Sequence, residues 1–116
     1  MSNSLKWKIF WADLNPVQGS EQAGMRPVLV FSVDVINDVL PVVTVLPITS
    51  LKPGRQIYPT EAKLIASEND LQYDSIVMAH QIRALSKSRL NGQCGEVVLP
   101  SVKASIEQAI RIYLGL

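Results

Sequence analysis

Apolar residues come in short bursts along this chain. Residues 7–12, 27–33, 42–48, 57–65 and 75–79 are rich in β-branched and aromatic side chains, and polar, Pro- or Gly-containing stretches separate them. Runs of this length fit strands and are too short for long helices, which restricts the chain to a mainly β fold. The 57–65 run carries Pro59 near its start and reads as an edge strand. The strand beginning at Ser75 is expected to continue toward Leu85. Only the end of the chain breaks the pattern. Val102, Ile106, Ala109, Ile110 and Tyr113 recur at spacings of three and four, which lines one face of a helix. Ser101 reads as its N-cap, and Gly115 sits just past its end. Five or more short strands and one terminal helix predict a compact barrel-like sheet capped by a C-terminal helix.

The connections are polar. Residues 13–26 hold Asn15-Pro16, Gly19-Ser20 and Gly24, a long loop of the kind that often carries function. Residues 34–41 read as a connection, Lys52-Pro53-Gly54 as a turn, and 67–74 as a loop. Residues 87–95 read as one helical turn and a short strand. A length of 116 residues, 47% of them apolar, fits one domain spanning 1–116. No apolar run approaches the roughly 20 residues that cross a bilayer, and residues 1–8 lack the pattern of a secretion signal. Cys94 is the only cysteine, which excludes an intrachain disulfide and argues against a cysteine-built zinc site. The cytosol is the expected compartment. A net charge of +1 argues mildly against coating nucleic acid through charge alone, but leaves room for a local basic groove.

Three stretches carry a family pattern. Trp11-Ala12-Asp13-Leu14-Asn15-Pro16 followed by Gly19-Ser20-Glu21-Gln22-Ala23-Gly24-Met25-Arg26-Pro27 resembles the opening signature of the MazF/PemK toxins, W-x-D-L-x-P then G-S-E-Q-x-G-x-R-P. Leu46-Pro47-Ile48-Thr49-Ser50 is similar to that family's P-I-T-S strand end. The segment from His80-Gln81-Ile82-Arg83 to Lys87-Ser88-Arg89-Leu90 resembles its D-Q-I-R-T-[IL]-x-K-x-R-L stretch. The family's usual Gly-Asp at the start of the first strand is replaced by Trp7 and Lys8, and its usual acidic residue before the Gln by His80. The resemblance implies an SH3-like small barrel with a C-terminal α-helix. It also implies a homodimer, an antitoxin partner, and cleavage of single-stranded RNA without metal or other cofactor.

Such cleavage uses the neighbouring ribose hydroxyl as nucleophile, so the protein must stabilise phosphoryl charge and help move protons. Arg26 suits the first task because its planar, permanently charged fork can donate two bonds to phosphate. Taken alone it also reads as a solvated surface arginine. The resemblance pairs it with Thr49 as the catalytic residues. Thr49 and Ser50 could orient RNA through their hydroxyls, or merely cap a turn. Glu21, Gln22, Ser50, His80 and Gln81 are the expected RNA-binding residues. His80 reads either as a groove residue, able to titrate near neutral pH, or as a packed one. On a regular strand His80 and Gln81 point to opposite sides, unless the strand bends. Trp7, Trp11 and Tyr58 could stack bases, but the spacing of Trp7 and Trp11 fits one packed strand face. A gyrase-poisoning toxin of the same fold and an inactive dimeric paralogue are the alternative functions.

Overall fold

A computed structural model describes residues 4–116; residues 1–3, part of the segment read for a secretion signal, lie outside it. The described residues form seven strands: β1 Lys8–Asp13, β2 Met25–Val30, β3 Val42–Ser50, β4 Glu61–Leu64, β5 Ser75–Met78, β6 Arg83–Ser86 and β7 Leu90–Glu96. A one-turn helix α1, Asp34–Asn37, lies between β2 and β3, and α2, Pro100–Leu114, ends the chain. The strands pair antiparallel in the order β4-β5-β3-β2-β1-β7, with β6 also on β3. The fold is mainly β with a C-terminal helix, as expected, and β4 is an edge.

The central strands are apolar on successive residues because they separate two cores. Ile9, Leu29, Leu46 and Ile48 join Leu64, Ile106 and Ile110 in the core under α2. Val28, Val30, Val43 and Val45 join Ala12, Leu14 and Leu85 in the other. Leu14 and Val17 of the β1–β2 loop help to cover this second core.

Two prolines set the irregularities that matter. Alternate residues of a strand send their N–H groups to opposite edges. Trp7 donates to Val30 O and Phe31 donates to Thr44 O, so residues 27, 29 and 31 face β3 with their backbone groups. Pro27 therefore lacks its N–H on the β3 side. The β2–β3 ladder runs from Val30↔Val45 to Val28↔Pro47 and goes no further. Pro47 faces the opposite edge of β3. There Ile48 sits across from Val77 and Val45 across from Arg83, so three steps along β3 match six along the other segment. The surplus is extruded as a 3₁₀ turn, Ala79–Gln81. The strand expected to run from Ser75 to Leu85 is thus broken in two at His80.

The helix differs from expectation at both ends. Leu99 holds the N-cap position without a side-chain bond, because Pro100 has the preset φ and missing N–H that suit a first helical residue; Ser101 lies inside the helix. Gly115 closes the other end at φ 73°, the left-handed conformation that glycine adopts without a Cβ clash. Tyr113 does not join the buried face of Ile106, Ala109 and Ile110.

Candidate active site

Past Pro27 and Pro47, the start of β2 and the end of β3 are no longer bonded to each other. A cleft of about 650 Å³ opens along them, lined by Trp11, Arg26, Thr49, Ser50, Asp70 and Tyr73 among others. Continuing the β2–β3 register by two residues sets Arg26 across from Thr49. Two distant motifs thus meet because the ladder between their strands stops. Arg26 is exposed, and its Nε donates to Ala23 O at 3.1 Å. Among the described residues its two terminal nitrogens have no partner, which leaves the fork open to an anion.

The cleft includes residues the sequence reading passed over. Trp11 was expected to pack in a strand face. It is instead 44% exposed and lines the cleft. The alternation of β1 is intact, with Ile9 in the core under α2 and Phe10 and Ala12 against the other core, so Trp11 lies on the same face as Ile9, where the cleft beside Pro27 and Ile48 leaves it open. Trp7 does pack, edge-on to Phe31 with ring centroids 5.3 Å apart. Its φ is +73°, a conformation that glycine enters freely, and this is the place where the family pattern has Gly. Asp70, Gln72 and Tyr73 come from the segment read only as a polar loop. Nothing in that segment reveals its position, which depends on β7. There Glu96 N donates to Asn69 O at 3.0 Å. Cys94 also lines the cleft, where burial pushes its thiol pKa up and keeps it a neutral wall at pH 7.

The remaining expected site residues lie elsewhere. Glu21, Gln22, His80 and Gln81 line a smaller hollow of about 150 Å³ with Pro47 and Arg83. The extruded turn removes the alternation, so His80 and Gln81 share one hollow instead of pointing apart. His80 is exposed, with Nδ1 and Thr60 Oγ1 3.2 Å apart, which rules out the packed reading. Glu21 Oε1 accepts from Gln18 N at 2.6 Å, folding the loop tip on itself. Gln22 Oε1 is buried without a hydrogen-bond partner. Gln81 is engaged on both sides of its amide, by Ser20 O and by Gln22 N at 3.3 Å each. It was expected to contact RNA, but these bonds tie it to the loop. Tyr58 stands apart from both pockets, with the Arg55 guanidinium 5.5 Å over its ring. Among the described residues no three His, Cys, Asp or Glu side chains gather as a metal site, and no helix is long and apolar enough to cross a membrane.

Comparison with known proteins places the chain among relatives of one family. Residues 5–114 match the family model described as PemK-like, MazF-like toxin of type II toxin-antitoxin system. The endoribonuclease MazF of Staphylococcus saprophyticus is 38% identical over 108 residues, covering 93% of this chain and 88% of that protein. MazF from Deinococcus radiodurans superposes with a TM-score of 0.78 at 31% identity, covering 96% of each chain. A MazE–MazF structure from the same organism superposes at 0.71 with 30% identity, covering 95% of this chain and 94% of that one.

Proposed function

This chain belongs to the PemK-like, MazF-like toxin family of type II toxin–antitoxin systems, and from that premise we propose that it is a cytosolic endoribonuclease toxin, one domain throughout, that cuts single-stranded RNA at the Arg26–Thr49 cleft. The meeting of Arg26 and Thr49 in one open cleft carries this reading. Arg26 binds the scissile phosphate through its free fork and stabilises the charge that grows on the phosphoryl oxygens. Thr49 and Ser50 orient the phosphate and the ribose by hydrogen bonds. The 2′-oxygen attacks the adjacent phosphorus and loses its proton. The bond to the 5′-oxygen breaks, and that oxygen takes up a proton. These steps need no metal ion. Asp70 and Tyr73 add a proton acceptor and a stacking surface to the same cleft. The hollow at Glu21, Gln22 and His80 receives a base farther along the strand. A gyrase poison has no use for an open guanidinium paired with a hydroxyl, which favours the nuclease.

The active form is a homodimer, supported by exposed apolar side chains at Val35 and Val39 beside α1 and at Ile112 and Leu116 at the end of α2. An acidic antitoxin segment occupies the groove as an RNA mimic. The S. saprophyticus relative is named an endoribonuclease, which supports the cleavage, and the D. radiodurans relative was solved with MazE, which supports the antitoxin.

The test compares three labelled strands of one sequence: single-stranded RNA, the same RNA in a duplex, and RNA with 2′-O-methyl riboses. Only the first is expected to be cut. Cleavage of the 2′-O-methyl strand would exclude the ribose hydroxyl as nucleophile. Sedimentation at micromolar concentration is expected to give a dimer, and a monomer would remove that part of the reading.

A further inference from the structure

The β1–β2 loop is fastened at its base and at its tip by different groups. At the base, Leu14 N donates to Gly24 O at 3.0 Å, Arg89 Nη1 to Asn15 O at 2.8 Å and Arg83 Nη1 to Leu14 O at 3.2 Å. At the tip, Gln81 is the only side chain from beyond β2 that bonds the loop among the described residues. Its Nε2 donates to Ser20 O and its Oε1 accepts from Gln22 N, much as a neighbouring strand's peptide would. One residue beyond Gln22, Ala23 O takes the bond from Arg26 Nε. A bond at Nε fixes the plane of the guanidinium and the direction of its two terminal nitrogens.

We propose that Gln81 is a positioning residue for RNA cleavage: its amide holds residues 20–23 so that the Ala23 carbonyl aims the Arg26 fork at the phosphate. This rests on the reading of Arg26 as the phosphate-binding group. The family-like pairing of a Gln in the 79–81 turn with the G-S-E-Q loop then acts within the protein, and Gln81 makes no base contact. Displacing a catalytic group by about 1 Å can cost on the order of 100-fold in rate, so a remote amide can govern activity without touching substrate.

The experiment is a double-mutant cycle on the full chain with Gln81→Ala, Arg26→Ala and both together, read on labelled single-stranded RNA. Gln81→Glu is added because it keeps the acceptor for Gln22 N but sets a carboxylate against Ser20 O; it stands in if Gln81→Ala does not fold. Amide exchange at residues 20–23 and melting curves accompany the kinetics. The expected result for Gln81→Ala is a kcat loss of about 10- to 100-fold, with KM within about twofold and the cleavage sequence unchanged. Exchange at 20–23 is expected to quicken. On the Arg26→Ala background the same change is expected to add no further loss. Multiplying losses in the double variant, or an altered KM or cleavage sequence with kcat preserved, would overturn the proposal and make Gln81 a direct RNA contact while leaving Arg26 in its role. Full activity in Arg26→Ala would overturn both the site and the relay that depends on it.

Discussion

Arg26 and Glu61 show what a charged side chain does in two different settings. Arg26 is exposed and makes a single bond, so the fold does not depend on it. Arg26→Ala is expected to melt within about 0.5 kcal/mol of the wild type, as surface substitutions do. It is expected to lose about 100-fold or more in cleavage rate, as removal of a transition-state donor does. Thr49→Ala is expected to lose less, since a neutral hydroxyl donates a weaker bond than a charged group. Steady-state cleavage beside thermal melts checks both. Glu61 is buried, and both its oxygens accept from the Arg55 fork at 2.8 and 2.7 Å, with Tyr58 N bonding at 2.9 Å. The Arg55 bonds, with the Tyr58 N–H, hold its carboxyl below the ordinary value of 4.5. A carboxyl whose pKa is lower folded than unfolded stabilises the protein above the unfolded value, and that stability fades as pH falls through the folded one. Glu61→Gln is expected to cost about 1–3 kcal/mol at pH 7. It is also expected to flatten the decline below pH 4.5, though not abolish it. Asp34 also contributes there: burial raises its pKa, but bonds from the Leu5 and Lys6 N–H groups outweigh this and lower it. Denaturant unfolding at pH 7 and pH 3 measures both effects, and an unchanged acid slope would remove Glu61 from the account.

At the scale of elements, the sequence is most legible where periodicity and punctuation agree. The bursts at 27–33 and 42–48, the Lys52-Pro53-Gly54 turn and the terminal helix all lie where composition puts them. What escaped is set by partners far away in the chain. Trp11 is exposed because its face opens onto the cleft between β2 and β3. The Ser75 strand breaks because Pro47, on another strand, withholds a donor from that edge. Ser101 looks like a cap on its own, and loses the role to Pro100. The Arg26–Thr49 pairing was legible only through resemblance, since neither residue alone distinguishes catalysis from a surface group. The cleft wall from 70 to 73 was not legible at all, because Gly95 of β7 positions it. A Cβ on Gly95 would lie 2.7 Å from Leu71 Cδ2 and 2.9 Å from Asn69 O. The methyl end of Leu71 can move, but the backbone oxygen, held by Glu96 N, cannot do so cheaply. Gly95→Ala is therefore expected to lower stability by about 1–3 kcal/mol, the usual range for overpacking. It is also expected to weaken RNA binding by displacing Asp70 and Tyr73. Melting temperature and KM measured together check this, and a fully stable Gly95→Ala with unchanged KM would show the 70–73 segment to be free of β7.

For the whole molecule, two prolines on neighbouring strands connect sequence to activity. They end one ladder beside the cleft and extrude a turn on the other side, whose Gln81 bonds the loop next to Arg26. A net charge of +1 gives such a protein little general attraction for nucleic acid, so recognition has to come from the cleft itself. The proposed reaction is attack by the ribose hydroxyl, promoted by Arg26 and its neighbours without a metal ion. The direct measurement is the chemistry of the cut ends of single-stranded RNA incubated in chelator with the wild type and with Arg26→Ala. The expected result is cleavage by the wild type alone, leaving a 2′,3′-cyclic phosphate or 3′-phosphate on one fragment and a 5′-hydroxyl on the other. Cleavage that requires an added divalent metal, or fragments bearing 5′-phosphates, would contradict it.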